Sequence, residues 1–246
     1  MAENNSKKKN KGSVFREYAE AIIVAVGVAL ILRAFVVEAF KIPSPSMVPT
    51  LRIGDHIFVN KFVYGFRIPF TKKKFFQWRQ PKRGEVIVFI FPEDPSKDYI
   101  KRVIGIPGDK IQIRSDDIFI NGEKVPREIS MDSVVLKSIE GWSQYVLYDE
   151  TLGGNHFQVL YRPNFHHLDD WPVEGQLTVP ENSLFVMGDN RDNSSDSRLW
   201  RTTNFVPISY VKGKAMVIWL SIDSDHRWSP INLPSLRWSR FGKLIH

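Results

Sequence analysis

One long apolar segment, Ala21 to Val37, dominates the pattern of this chain. Ala21 to Leu32 is an uncharged run of twelve residues; Arg33 interrupts it, Ala34 to Val37 resume, and Glu38 follows. A membrane-spanning helix needs roughly 20 predominantly apolar residues. Tyr18 to Phe40 has that length but carries Glu20, Arg33 and Glu38. The glutamates lie near its ends, and Arg33 must reach an interface with its side chain. A cleaved leader needs a small-x-small site after the apolar run, and neither Ala34-Phe35-Val36 nor Lys41-Ile42-Pro43 supplies one. The segment therefore reads as an uncleaved single anchor over residues 17–40, with a buried core helix as the competing reading. Lys7, Lys8, Lys9, Lys11 and Arg16 precede it. They predict a cytoplasmic N-terminus, with residues 41–246 on the other side of the membrane. Residues 1–16 form the basic tail, and residues 1–14 read as disordered.

The remainder of the 246 residues is long enough for one substantial domain or two small ones. At 43% hydrophobic and 25% charged the chain is not a multi-span membrane protein. The net charge of +7 is partly local to the tail; the rest suits anionic lipid or nucleic acid, and composition does not separate the two. The absence of cysteine excludes disulfides, thiol nucleophiles and thiolate metal sites.

Beyond residue 40 the pattern changes to short apolar runs between turn signals, which predicts a mostly β region. Expected strands are Asp55 to Asn60, Glu85 to Phe91, Tyr99 to Ile104, Lys110 to Arg114, Ile118 to Ile120, Ser183 to Met187 and Gly213 to Trp219. Asn121-Gly122 is a two-residue hairpin signal. Gly153-Gly154-Asn155 predicts a second hairpin, between Tyr145 to Leu147 and Phe157 to Tyr161. Residues 123–180 are more polar and unevenly patterned, and read as an inserted subdomain. Residues 41–122 and 181–246 then form the main β domain. The C-terminal stretch, with Arg227, Trp228, Arg237, Trp238 and Arg240, reads as a packed tail in preference to a lipid contact.

Three segments carry chemistry. Ser44-Pro45-Ser46-Met47 follows the anchor by a few residues, Lys101 lies in Asp98 to Asp109, and Gly188 to Arg198 reads Gly-Asp-Asn-Arg-Asp-Asn-Ser-Ser-Asp-Ser-Arg. A serine hydroxyl is a weak nucleophile until a base takes its proton. A lysine is such a base only when neutral, which burial in an apolar site promotes. Strand alternation puts Lys101 on one face with Tyr99 and Val103, with no carboxylate adjacent on that face. The same pattern also fits a solvated edge-strand lysine.

In their order and content these segments resemble the type I signal peptidases, membrane-bound Ser/Lys proteases that remove signal peptides from exported proteins. The resemblance covers most of residues 38–122 and 180–220 and is weak in 123–180. It implies a mostly β fold: a single N-terminal transmembrane helix, then an extracytoplasmic antiparallel β-sheet catalytic domain with an inserted β-rich subdomain. By the same resemblance Ser46 is the nucleophile and Lys101 its general base. Ser44 joins the Ser46 N–H in the oxyanion hole, Ser194 hydrogen-bonds and orients the lysine, and Asp196 with Arg198 is a supporting pair. Phe40, Ile42, Met47, Leu51, Ile57, Val88, Tyr99 and Ile100 line the sites for small residues at −1 and −3 of the cleaved peptide. Pro45 stands where many members have glycine, which stiffens the loop without removing a donor the reaction uses. No cofactor or metal is implied. The expected partners are signal peptides of exported preproteins, the phospholipid bilayer and, as a further possibility, the secretion translocon, with no nucleic acid. The expected location is the bacterial cytoplasmic membrane.

Other patterns compete. Ser209-Tyr210-Val211-Lys212 has the Ser-x-x-Lys spacing of penicillin-binding enzymes but lacks a Lys-Thr-Gly partner and reads as a loop. His56 reads as a surface histidine. Asp189, Asp192 and Asp196 suggest a cation site, but Arg191 and Arg198 favour internal salt bridges. A self-cleaving Ser/Lys repressor would need a DNA-binding module where this chain has its apolar segment. A catalytically inactive, membrane-anchored β-domain binding protein is the non-enzymatic alternative.

Overall fold

The computed structural model describes residues 11–35, 37–67, 74–76, 79–163, 170–172, 175–228 and 233–246. Its N-terminal element is a helix, Lys11–Phe35, which gives way to a strand at Val37–Lys41. Two expectations change here. Residues 11–14 are helical, whereas they read as disordered, and residues 37–40 are strand, whereas they were assigned to the anchor. The edge strand wins because Val37 to Lys41 pairs antiparallel, residue for residue, with Asn60 to His56. The rest of the tail, residues 1–10, and the side chain of Arg33 lie outside the described residues. Among the described residues no helix is long and apolar enough to cross a membrane.

The strands follow the short apolar runs closely: Asp55–Asn60 and Lys110–Arg114 alternate in burial, while Val86–Ile90 and most of Asp98–Gly105 are buried on both faces. An eight-stranded sheet runs Val37–Lys41, Asp55–Asn60, Val211–Trp228, Val86–Ile90, Asp98–Gly105, Ser183–Met187 and Val206–Pro207, with Leu233–Leu236 added along Val211–Trp228. Every pairing in it is antiparallel. Val211–Trp228 extends well past the expected Gly213 to Trp219 because its C-terminal part continues beyond Asp55–Asn60 to pair with Leu233–Leu236, with irregular registers at Ala215/Val217 and Ile218/Leu220 along the way. Met47, Leu51, Ile57 and Ile218 are fully buried on one side of this sheet, and Phe89, Val103 and Val186 on the other.

Lys110–Arg114 and Asp117–Ile120 form a smaller sheet with Glu123–Lys124, Asp170–Trp171 and Leu177–Thr178. Asn121 and Gly122 both have positive φ, 56° and 85°, and close a two-residue hairpin. Positive φ at both central positions is what such a turn requires, and Asn-Gly tolerates it. The second hairpin joins Val146–Leu152 to Asn155–Tyr161 across Gly153-Gly154, with Arg127–Ile129 as its third strand. Both strands are longer than expected. A short helix, Ser133–Lys137, capped by the Asp132 carboxylate accepting from the Val135 N–H, adds one helical element to the insertion.

The C-terminal stretch packs as expected where its side chains are described. Arg240 is buried against Asp55 at 2.5 Å, and Arg237 donates to Ser221 Oγ at 2.8 Å. Trp238 is mostly exposed and stacks on Phe241. The side chains of Arg227 and Trp228 lie outside the described residues.

Candidate active site

The serine segment is a short 3₁₀ turn, Pro45–Met47, entered from an extended Ser44 at φ −130° and ψ 155°. Pro45 occupies the first helical position. An N–H there would have no intrahelical partner, and proline's fixed φ suits the turn. The effect of this proline is thus to start the turn that presents Ser46. The Ser46 N–H is in the same orphaned first turn, where a helix end offers donors to a ligand. Met47 and Leu51 anchor the turn from below with no exposed surface.

The lysine strand, Asp98–Gly105, is buried from Ile100 onward. Lys101, 4% exposed, donates from Nζ to Ser46 Oγ at 2.8 Å and to the Ile100 carbonyl at 2.9 Å. Its Nζ lies 5.2 Å from the centre of the Tyr99 ring, on the face that strand alternation assigned to both. Desolvation by burial lowers the Lys101 pKa to about 8 against the opposing charges of Asp196 and Asp189, with Arg198 assisting. A hydroxyl in contact with an amine of this pKa is an arrangement in which the neutral amine can accept its proton. Ser44 Oγ lies 3.2 Å from Ser46 Oγ, on the same opening.

The residues Gly188 to Arg198 hold these two segments together. Asn190 donates from its backbone N–H to the Ser46 carbonyl at 3.1 Å and from Nδ2 to the Pro45 carbonyl at 3.2 Å. Asp189 accepts from Arg102 Nε at 2.8 Å and Nη2 at 2.7 Å, and from Thr50 Oγ1 at 2.5 Å. Arg102 is the neighbour of Lys101 on the opposite strand face. Asp196 pairs with Arg198 at 2.8 Å, both buried, and accepts from the Gly188 N–H at 3.0 Å. Burial alone would raise the Asp196 pKa; the Arg198 charge and the hydrogen bonds outweigh it and hold the carboxyl below its usual range. Gly188 has room for no side chain, since a Cβ there would collide with the Ser46 carbonyl oxygen and the Ser194 hydroxyl.

One expected contact is absent. Ser194 is 6% exposed and lies near enough to Asp196 to favour that carboxylate, yet among the described residues its Oγ makes no hydrogen bond of ordinary geometry, to Lys101 or to any other group. The two acceptors of Lys101 Nζ are Ser46 Oγ and the Ile100 carbonyl. Ile42, Met47, Leu51, Ile57, Val88 and Ile100 share one buried cluster beneath the serine turn, with Phe40 packed against it. Tyr99 belongs to a different cluster, stacked on Phe91 at 4.2 Å and edge-on to Trp200.

The competing patterns resolve without a second site. Asp192 accepts from the Arg162 backbone N–H, so none of the three aspartates lacks a donor. Arg191 pairs with Glu150 and not with its aspartate neighbours. His56 is half-buried, edge-on to Trp219, with Nδ1 3.1 Å from the Gly54 carbonyl oxygen. Ser209 and Tyr210 lie in a 3₁₀ turn, and Lys212 pairs with Asp98. Sequence reasoning passed over Gly188, Asn190 and Arg102. The first two lie in the quoted motif, and the third is the alternate-face neighbour of the lysine.

The site thus brings a buried lysine on an inner strand of the antiparallel sheet to 2.8 Å from the hydroxyl of a serine on a short turn. The sequence model of the family described as Signal peptidase, peptidase S26, matches residues 15–220. Signal peptidase I of Pseudomonas fluorescens is 42% identical over 87% of this chain and 75% of its own. That of Pseudomonas aeruginosa is 38% identical over 97% and 82%, and that of Rickettsia typhi 37% over 89% and 84%. A crystal structure of a signal peptidase I from Enterococcus faecalis is 27% identical over 55% of this chain and 97% of its own, at a TM-score of 0.33, an overlap too small to bear on the fold. The chain belongs to the signal peptidase family, peptidase S26, and is an enzyme, a serine hydrolase of the signal peptidase I kind.

Proposed function

We propose that this enzyme cleaves signal peptides from exported preproteins at a membrane surface, using Ser46 as nucleophile and Lys101 as general base. The observation that carries the reading is the 2.8 Å contact between Lys101 Nζ and Ser46 Oγ in a buried site. Neutral Lys101 takes the Ser46 proton as Oγ attacks the scissile carbonyl carbon. The oxyanion that develops receives hydrogen bonds from the Ser46 N–H and the Ser44 hydroxyl, the two donors on that side of the turn. Protonated Lys101 then donates to the leaving amine, which releases the mature protein and leaves the signal peptide as an ester on Ser46. A water that gives its proton to Lys101 attacks the ester, and collapse of the second oxyanion frees the enzyme. Asp196 and Arg198 fix the loop that closes the lysine side of the site, and Ser194 fills its wall.

Preference for small residues at −1 and −3 follows from packing. The cluster beneath the serine turn is already filled by the protein's own side chains, with Met47, Leu51 and Ile57 wholly buried, so a large substrate side chain pressed against it would overpack it. The helix before the sheet supplies the membrane contact. Ile22, Ile23, Val24, Val26 and Val28 are each more than half exposed on it, an apolar surface that the other described residues leave uncovered.

Ser46→Ala and Lys101→Ala are each expected to abolish preprotein cleavage while circular dichroism and the thermal midpoint stay near those of the parent. Lys101→Arg is expected to be inactive too, because a guanidinium stays protonated. Substantial cleavage by a folded Ser46→Ala or Lys101→Ala enzyme would refute the dyad.

A further inference from the structure

The role of the inserted hairpin emerges from where its second strand ends. Leu160 donates its N–H to the Asp189 carbonyl at 2.8 Å, and Arg191 donates its N–H to the Leu160 carbonyl at 2.9 Å. This makes an isolated parallel bridge at Leu160 and Asn190, on the free side of the edge strand Asn155–Tyr161. Asn190 is the residue whose backbone and side chain both donate to the serine turn. Three further contacts tie the same places together. The Arg191 guanidinium, fully buried, forms a two-pronged pair with the Glu150 carboxylate and donates to Tyr161 OH at 2.7 Å. Val48, two residues past Ser46, packs on Leu147 and Leu160. The Phe157 ring lies 3.6 Å under the Arg102 guanidinium, which holds Asp189 from the other side.

The geometry points to the hairpin Val146–Leu152/Asn155–Tyr161 as a positioning element of the catalytic centre, with Leu160, Glu150 and Arg191 setting where Asn190 holds the Ser46 carbonyl. The nucleophile is carried by a turn of three residues, too short to fix its own orientation. Among the described residues the backbone hydrogen bond to the Ser46 carbonyl comes from Asn190, and Asn190 is held in register by a strand of the insertion. A small displacement of that strand moves the Ser46 hydroxyl relative to both Lys101 and the scissile carbonyl. It leaves the apolar cluster that receives the substrate side chains in place, because no residue of the hairpin belongs to that cluster.

This inference rests on Ser46 being the nucleophile, so the test includes Ser46→Ala as a reference. Leu160→Ala and the volume-preserving Glu150→Gln are compared with Leu152→Ala. Leu152 is a leucine of the same hairpin buried at its far end, in the cluster of the smaller sheet. Steady-state cleavage of a preprotein and thermal midpoints are measured for each. Leu160→Ala and Glu150→Gln are expected to lower kcat roughly tenfold or more, since a full misplacement of about 1 Å can cost on the order of a hundredfold. KM is expected to stay within about twofold, the split that marks an interaction acting on the reacting geometry and not on substrate binding. Leu152→Ala is expected to lose stability with kcat near the parent value. A folded Leu160→Ala or Glu150→Gln enzyme with parent kcat overturns the inference, as does an equal loss in Leu152→Ala. If Leu160→Ala does not fold, Glu150→Gln decides alone. Inactivity of Ser46→Ala alongside such a result leaves the dyad standing, whereas activity in Ser46→Ala removes the dyad itself.

Discussion

Lys101 owes its chemistry to the face of the strand it occupies. Arg102, one residue on, points the other way and is held by the Asp189 carboxylate and the Gly84 carbonyl. Lys101 meets a hydroxyl, a carbonyl and a ring, and no carboxylate within ion-pair distance, so desolvation is the largest influence on it. The sign of the pH dependence follows. With a pKa of about 8, the neutral fraction of Lys101 grows as pH rises to that value and saturates above it. The pH profile of kcat/KM is therefore expected to climb tenfold per unit below about pH 8 and to level beyond it. A limb that continues to rise to the free lysine value of about 10.4 is the outcome that contradicts a desolvated base. The same lowered pKa means that the unfolded chain binds the extra proton. The stability cost of this lysine is full below about pH 8 and fades as pH rises toward 10.5. That Lys101 shares a face with Tyr99 was legible from strand alternation alone. The distance to Ser46 was not, because the two residues are 55 positions apart and only the packing of two elements sets it.

Among the elements, those with local rules were the most legible. The Asn121-Gly122 and Gly153-Gly154 turns have positive φ at both central residues, a demand that any chain meets with the same few residue types. Ser183–Met187 and Asp55–Asn60 have the predicted bounds, since each alternates in burial or runs apolar between turn residues. The loop Gly188 to Arg198 has no such rule. Its conformation is the sum of Asp189 on Arg102, Asn190 on the serine turn, Arg191 on Glu150 and Asp196 on Arg198. Arg191 finds its partner 41 residues away in the insertion while acidic neighbours lie beside it in sequence, which no reading of the motif by itself supplies. Gly188→Ala tests how tightly this loop meets the serine turn. The added methyl group meets the Ser46 carbonyl oxygen and the Ser194 side chain, and the backbone oxygen has no rotamer to escape into. Cleavage is expected to fall at least tenfold with a loss of about 1–3 kcal/mol in unfolding free energy, the usual cost of overpacking. Parent activity and stability in Gly188→Ala would show that the loop yields more than its contacts indicate.

For the whole molecule, the junction between helix and sheet decides where the N-terminal helix, with the membrane contact proposed for it, can be cut from the enzyme. The helix ends at Phe35, and the next residues, Val37–Lys41, are the edge strand against Asp55–Asn60. A chain of residues 37–246 keeps that strand; one starting at 41 loses it and bares the partner edge. The 37–246 form is expected to leave the membrane fraction and cleave a signal-peptide substrate in solution, while a 41–246 form aggregates, as centrifugation and light scattering would report. Equal behaviour of the two forms would show that the edge strand contributes nothing to the fold. By itself the sequence determined the elements and their chemistry. It placed an apolar segment before a β region, a serine turn after it, a lysine on an apolar strand face, and an acidic and basic loop, because these follow from periodicity, turn geometry and side-chain type over a few residues. The tertiary structure alone decided which of these meet: that Lys101 and not another cation reaches Ser46, that Ser194 does not bond the lysine, that Tyr99 packs apart from the cluster under the serine, and that the insertion contacts the loop that holds Ser46. Such contacts join residues tens of positions apart, and their geometry is fixed by the packing of whole strands against one another, which no local pattern encodes.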